Sequence, residues 1–343
     1  MIALLAGGLA AEGFEIHLGL VSQGGWPMAS LPHSVTVHNL GARRVRTAAF
    51  RLLRLVRTLK PDAILSGMAH LNFMALLLRP LYPRRTRLLV RQNATVSAVL
   101  ADGTAPWHTD LLYRRFYSRA DRIVCPTRAM AADLAAVVPM AAEKLAVLPN
   151  PIDFEAIQGA LGGPSLWQGP GPHLLAVGRL SAEKGFDLLL ESLAAIRRQF
   201  PAADLVVSGA GPERCRLEVQ AKRLQLDRAV RFAGYCACPY RFYPGATLLV
   251  LPSRQEGMPN ALLEGDAAGL PLVATPASEG IVDLLRGRSG AWLASEVSAE
   301  ALTDAILTAL ANLGPGQRFA REALGHGAIQ SYSRLIDSVC AAR

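Results

Sequence analysis

Residues 252–264 read Pro252-Ser253-Arg254-Gln255-Glu256-Gly257-Met258-Pro259-Asn260-Ala261-Leu262-Leu263-Glu264. The apolar run Thr247–Leu251 precedes them and ends near Pro252, as a buried strand does when proline follows. Pro259 suits the first turn of a helix, where a missing N–H is no loss. The stretch therefore predicts strand, loop, helix. Unbonded N–H groups at such a helix start attract an anion. Glu256 stays on the loop, and Glu264 falls about a turn and a half into the helix. Two carboxylates beside an anion site accept hydrogen bonds from hydroxyls. Leu262 and Leu263 imply a largely buried helix, which argues against Glu264 as a plain surface acid. A ligand carrying a diphosphate and several hydroxyls meets both demands.

The flanking sequence repeats this alternation. Strands are predicted at Leu174–Val177, Asp204–Ser208, Val230–Ala233 and Leu272–Ala274. Helices are predicted at Gly185–Gln199, Glu213–Leu224, Asn260–Ala268, Ile281–Leu285 and Ala299–Asn312. Gly178-Arg179-Leu180-Ser181-Ala182-Glu183-Lys184-Gly185 lies between a strand and a helix. Gly178 allows close backbone approach, Arg179 offers a fork of donors matched to phosphate, and Lys184 adds a point charge. A diphosphate cradle and a solvated turn with two surface cations both fit this segment. Gly209-Ala210-Gly211 follows the next strand, but Arg214 stands where a dinucleotide fingerprint has its third glycine, which argues against NAD. Thr275–Ile281 follows a further strand and is weak evidence alone.

The whole chain has 343 residues, enough for two domains with full cores. Half of it is apolar and 18% is charged, which excludes a disordered chain. No apolar run reaches the roughly 18 residues of a membrane span. Met1–Leu5 is apolar but lacks the basic start of a secretory leader. The five cysteines are odd in number and irregularly spaced, which predicts a reducing, cytoplasmic setting. Cys236 and Cys238 have no second pair to complete a zinc site. The first half also alternates, with strands at Ile16–Val21, Ala63–Ser66, Leu88–Arg91, Arg122–Cys125 and Leu145–Leu148, and helices at Thr47–Leu59 and Leu71–Leu78. Pro149–Pro151, Gly162–Pro164 and Gly169–Pro172 mark the break between halves. The prediction is α/β, with domains at residues 1–152 and 153–343, ligand at the strand carboxyl ends, and a last helix at about 325–343 packing back on the first domain.

Val177-Gly178-Arg179 with Lys184-Gly185, Gly209–Glu213, and Glu256 and Glu264 with seven residues between them together resemble the donor domain of glycosyltransferase family 4 over Leu174–Leu293. These are retaining enzymes of the GT-B fold, with two facing Rossmann-like domains and the active site in the cleft between them. The resemblance implies that Arg179 and Lys184 bind the donor diphosphate, Glu256 contacts the transferred sugar, and Glu264 holds the ribose hydroxyls. Phe232–Gly234 then lies against the base. Gly178, Gly209, Gly211, Phe232, Gly234, Gly257, Met258, Pro259 and Asn260 complete the expected donor site. The implied donor is a nucleoside-diphosphate sugar, UDP-linked hexose or N-acetylhexosamine as a family prior. The implied reaction is front-face transfer with retention. No Asp-x-Asp triplet is present, so no metal or other cofactor is expected. Gly265-Asp266 departs from the family, where alanine and an apolar residue are common, and predicts local loosening.

The first half resembles the family more faintly, through Pro61–Ser66, Arg91–Asn93, Tyr117–Thr127 and Leu148–Asp153. His70, Asn72 and Asn93 are the acceptor-side candidates. For His70 a structural role competes with a pocket role, and for Asn93 a turn role does. The family opens with a buried strand and a glycine-rich loop. Here Ala3–Gly13 already reads as the helix that follows, with Gly7 and Gly8 inside it. Roughly 20 residues are expected upstream, and without that first strand the acceptor domain is expected to be unstable.

Charge is one-sided. Residues 1–150 hold 18 of the 36 Lys and Arg and 8 of the 27 Asp and Glu, a net +10, against −1 for the remainder. An anionic partner follows. Arg43, Arg44, Arg46, Arg51, Arg54, Arg57 and Lys60 read either as an amphipathic helix packed on its sheet or as a dock for an anionic membrane carrying a lipid-linked acceptor. Nucleic acid is not expected, since no reading motif is present. The expected partners are a nucleotide-sugar donor and a glycan or polyprenol-linked acceptor, in surface polysaccharide or glycolipid assembly, peripheral to the inner membrane face. A sugar-nucleotide epimerase and a non-catalytic binding protein are the alternatives.

Overall fold

The computed structural model describes residues 1–21, 31–42, 45–101, 106, 108–139, 142–319 and 325–342, with the backbone alone at 45 and 46. The chain divides into two compact units. One is Met1–Ile152 with Gly325–Arg343, and the other is Asp153–Leu324.

In the first unit, β1 (Ile16–Leu20) and β2 (Val35–Asn39) form a parallel pair. A separate parallel sheet holds β3 (Ala63–Ser66), β4 (Arg87–Arg91), β5 (Arg122–Cys125) and β6 (Leu145–Val147), in that order. Among the described residues no ladder joins β1 to β3. One face of the four-stranded sheet meets the helices Ile2–Ala11 and Ala328–Ala341 through Leu5, Leu9, Leu89, Val124, Tyr332 and Ile336. Gly7 and Gly8 lie inside the first of these helices, as the sequence predicted. The other face carries Val56, Leu76, Leu88, Tyr113 and Tyr117.

The second unit holds one six-stranded parallel sheet. Its strands are β7 (His173–Val177), β8 (Asp204–Ser208), β9 (Val230–Gly234), β10 (Leu248–Leu251), β11 (Leu272–Ala274) and β12 (Ala291–Leu293). The order is β12-β11-β10-β7-β8-β9. Strands buried on both faces read as continuous apolar runs, and all four residues of β10 are buried. The helices Phe186–Ile196 and Ala299–Ala311 cover one face through Leu189, Leu193, Leu302 and Ile306. The latter starts on Ser298, whose hydroxyl accepts the Ala301 N–H at 3.1 Å. From β7 the chain winds outward through β8 and β9, then returns to β10 and winds the opposite way. The reversal lies between β7 and β10, where a doubly wound sheet leaves room for a ligand at its carboxyl ends.

Among the described residues no helix is long and apolar enough to cross a membrane.

Candidate functional site

Gly178 follows β7, and Gly209–Gly211 follows β8. Backbone bonds zip the two loops together: Gly178 N–H to Ser208 O at 3.0 Å, Leu180 N–H to Ala210 O at 3.0 Å, and Glu213 N–H to Leu180 O at 3.0 Å. A Cβ on Gly209 would sit 1.7 Å from Gly178 O, and one on Gly211 2.2 Å from Leu180 O. Only glycine permits this approach. On the far side, Gly209 N–H donates to Gly234 O at 2.8 Å, and the Arg214 guanidinium reaches Phe232 O at 3.5 Å. Glycines that looked like weak evidence in the sequence thus set the floor of one continuous surface.

Lys184 ends the short 3-10 turn Ala182–Lys184. Gly185 follows in the left-handed region (φ 64°), and a Cβ there would lie 2.0 Å from Pro252 O. The predicted helix start at Gly185 is therefore a turn, and the helix begins at Phe186. This contact presses the β7 loop onto the β10 loop. Lys184 Nζ then meets Glu256 Oε1 at 2.5 Å, and the Ser253 hydroxyl donates to the same oxygen at 2.8 Å. The Glu256 side chain is only 8% exposed. Arg179 is exposed, and its side chain makes no hydrogen bond or ion pair among the described residues.

Gly257, Met258 and Pro259 lead into the helix Asn260–Ala267, and Pro259 at the N-cap offers no capping side chain. Glu264, partly buried, accepts the Tyr240 hydroxyl at 3.4 Å. Burial pushes its carboxyl up to about 7, against the lowering effect of that hydrogen bond. Tyr240 is itself held above the ordinary phenol range by burial and by the Glu264 charge.

The predicted loosening at Gly265-Asp266 is not found. A Cβ on Gly265 would lie 3.0 Å from Leu249 Cδ1 and from Leu272 Cδ2, so the glycine brings the helix close to the sheet. Asp266 is 1% exposed and takes both arms of Arg288, at 2.9 and 2.6 Å. The departure is a packed, paired contact.

The first-unit candidates separate. His70 and Asn93 are exposed, and the Asn93 amide donates to Gly67 O. Asn72 is 0% exposed. Its amide donates to Arg91 O at 2.9 Å and Tyr117 Oη at 3.2 Å, inside a network with Gln92 and Tyr113. It serves the core and presents nothing to a ligand, because helix Ala69–Leu78 buries the face that carries Asn72, Ala75 and Leu76. Arg43 and Arg44 of the basic stretch, and the Arg46 side chain, lie outside the described residues. In helix Val45–Leu59, Arg51 donates to Leu40 O and Gly41 O at 2.6 and 2.9 Å, and Arg57 to Leu81 O at 3.2 Å. Leu52, Leu53 and Val56 face the core, while Arg54 is exposed and Phe50 is 75% exposed.

Sequence reasoning missed Ser253, Tyr240 and the Arg254–Asp187 pair. Tyr240 and Arg254 find their partners 24 and 67 residues away, on helices that only folding brings near, and Ser253 bonds Glu256 within one loop.

Glycine-pressed loops and a cation–carboxylate pair thus stand at the reversal of strand order of a doubly wound sheet, the place where such folds bind ligands. The family model described as Glycosyl transferases group 1 matches residues 171–312, and that described as Glycosyltransferase Family 4 matches residues 1–156. The chain belongs to this family of GT-B glycosyltransferases. It is similar to an uncharacterized glycosyltransferase of Methanocaldococcus jannaschii, 23% identical over 254 residues covering 71% of this chain and 62% of that protein. The lipopolysaccharide core biosynthesis glycosyltransferase LpsE of Rhizobium meliloti is 32% identical over 135 residues, 39% of this chain and 38% of that one. The chain thus spans less than two thirds of either relative. Anabaena HepE, solved with UDP and glucose, shares the fold at a TM-score of 0.78 and 18% identity, over 99% of this chain and 96% of that one.

Proposed function

We propose that this protein is a retaining glycosyltransferase. It moves a hexose or N-acetylhexosamine from a UDP-linked donor to a glycan or lipid-linked acceptor in surface polysaccharide or glycolipid synthesis. The observation that carries this is the Lys184–Glu256 pair at 2.5 Å, lying at the reversal of strand order beside the start of helix Asn260–Ala267. The names of LpsE and of the HepE complex support the product class and the base.

A donor diphosphate draws Lys184 from Glu256 and adds Arg179 and the helix N–H groups. The freed Glu256 carboxylate accepts sugar hydroxyls, and Glu264 accepts the ribose hydroxyls. As the glycosidic bond to phosphate breaks, negative charge grows on the diphosphate, where the fixed cations and helix dipole stabilise it. The acceptor hydroxyl attacks from the same face, and its proton passes to the leaving phosphate oxygen. Two cations and a helix end supply this stabilisation without a divalent ion.

Thermal unfolding of the chain with UDP, GDP, ADP and NAD tests the donor site. A ligand at a hundred times its dissociation constant stabilises by about 2.7 kcal/mol, several degrees for a unit of this size. UDP is expected to shift the transition most. A cooperative transition that no nucleoside diphosphate moves removes the donor site and favours a binding protein for another ligand.

The exposed Phe50 beside Arg54 favours a membrane surface as the place where a lipid-linked acceptor is met. Each cation near an anionic bilayer contributes about 1 kcal/mol. Vesicles with acidic lipid are expected to bind the protein at low salt and release it at high salt. Binding that ignores salt rules out this surface.

A further inference from the structure

We propose that Arg254 and Asp187 are positioning residues for the Lys184–Glu256 pair, setting the rate of transfer more than the strength of donor binding. This rests on the transferase function above. Lys184 and Glu256 stand on different loops, 72 residues apart in sequence. Their reactive register therefore depends on whatever ties the loops together. Arg254 ties them from both its ends. Its Nη1 donates to Asp187 Oδ1 at 2.7 Å and its Nη2 to Asp187 Oδ2 at 2.8 Å, while Nη1 also reaches Ala182 O at 3.1 Å. Its backbone N–H donates to Glu183 O at 2.8 Å, joined there by Gln255 N–H at 3.3 Å. The acceptors Ala182, Glu183 and Asp187 bracket Lys184. Next to Arg254, fully buried Ser253 bonds Glu256 and receives the Thr275 hydroxyl on its carbonyl at 2.5 Å.

A two-pronged guanidinium–carboxylate contact fixes orientation as well as distance. Both partners stay ionised. Burial works to raise the Asp187 carboxyl, but the Arg254 hydrogen bonds and charge outweigh it and hold the group below its ordinary value. The hydrogen bond to Asp187 holds Arg254 above its own. When the diphosphate takes Lys184, Glu256 loses its cation, and the fork is what keeps its loop in place. Lys184 is long enough to find a bound diphosphate with the fork broken. The aligned arrangement of the transition state is more demanding, and a shift of about 1 Å costs on the order of a hundredfold in rate.

The test uses the full chain, with calorimetric UDP binding and steady-state UDP release from UDP-glucose. Arg254→Ala is expected to lower kcat at least about tenfold while the UDP Kd moves less than about threefold. Lys184→Ala alone is expected to lower kcat at least about tenfold. Adding Arg254→Ala to it is then expected to cost less than about twofold more, because the positioned group is gone. If Arg254→Ala does not fold, Asp187→Asn, which keeps the shape and removes the charge, is measured the same way. An Arg254→Ala kcat equal to wild type, or losses that multiply in the double variant, overturns the inference alone. Wild-type protein that neither binds UDP nor releases it from UDP-glucose overturns the transferase function, and the inference with it.

Discussion

The two units use the same parallel α/β logic and differ in continuity. In Asp153–Leu324 six strands share one sheet, and every residue of β10 is buried. Among the described residues of the first unit the strands lie in sheets of two and four, and all of β3 is only partly buried. The difference extends to polar groups. The second unit brings Arg179, Lys184, Arg254 and Glu256 to the loops at the strand ends, which backbone contacts press together. The first encloses Asn72, Gln92, Tyr113 and Tyr117 within its core and leaves His70 and Asn93 exposed. A continuous sheet fixes the spacing of its carboxyl-end loops, and the candidate donor loops of the second unit stand on such a sheet.

The sharpest way to break this comparison is a matched pair of truncations. Leu249 is fully buried in β10, against Gly265, whereas Leu65 in β3 is partly buried. Leu249→Ala is expected to destabilise the second unit by about 2–5 kcal/mol, the range for a well-packed leucine. Leu65→Ala is expected to cost roughly half as much, because part of its surface already meets solvent. Calorimetry of the two variants, with the UDP-responsive transition marking the second unit, separates the losses. Equal costs would mean that the break between the two sheets of the first unit is not a soft place.

The same contrast explains what the sequence reveals. Strands of the second unit are placed within about a residue, because buried parallel strands are uninterrupted apolar runs between glycines. The predicted Asp204–Ser208 and Leu272–Ala274 coincide with β8 and β11. β2 is not predicted, since Val35-Thr36-Val37-His38-Asn39 alternates and its polar residues mask it. β12 lies at the sheet edge with no fully buried residue, so no buried apolar run marks it. Glycine motifs point to the donor loops because a backbone contact demands one residue type. The Lys184–Glu256 and Arg254–Asp187 pairs have no such signature, since charged side chains find partners across 72 and 67 residues by folding alone.

A smaller effect sharpens the comparison within the second unit, where burial and ligand pull Glu264 in opposite directions. Its carboxyl is raised from 4.5 to about 7, chiefly by burial. A raised acid contributes stability below its unfolded value of about 4.5 and loses it as pH rises through about 7. The unliganded unit therefore loses this contribution between those limits. Ligand binding runs the other way, because a ribose hydroxyl needs the charged carboxylate as acceptor. UDP affinity is expected to rise with pH through about 7, by up to about tenfold between pH 6 and pH 8. The UDP phosphates also titrate, so the decisive comparison is with Glu264→Gln, which keeps an acceptor oxygen and cannot ionise. In that variant only the phosphate contribution remains. Tyr240→Phe removes the hydrogen bond that lowers the carboxyl and is expected to move the midpoint upward. Calorimetric titrations that follow the same pH curve in wild type and Glu264→Gln would place the ribose away from Glu264, and leave its burial against Tyr240 as a feature of packing alone.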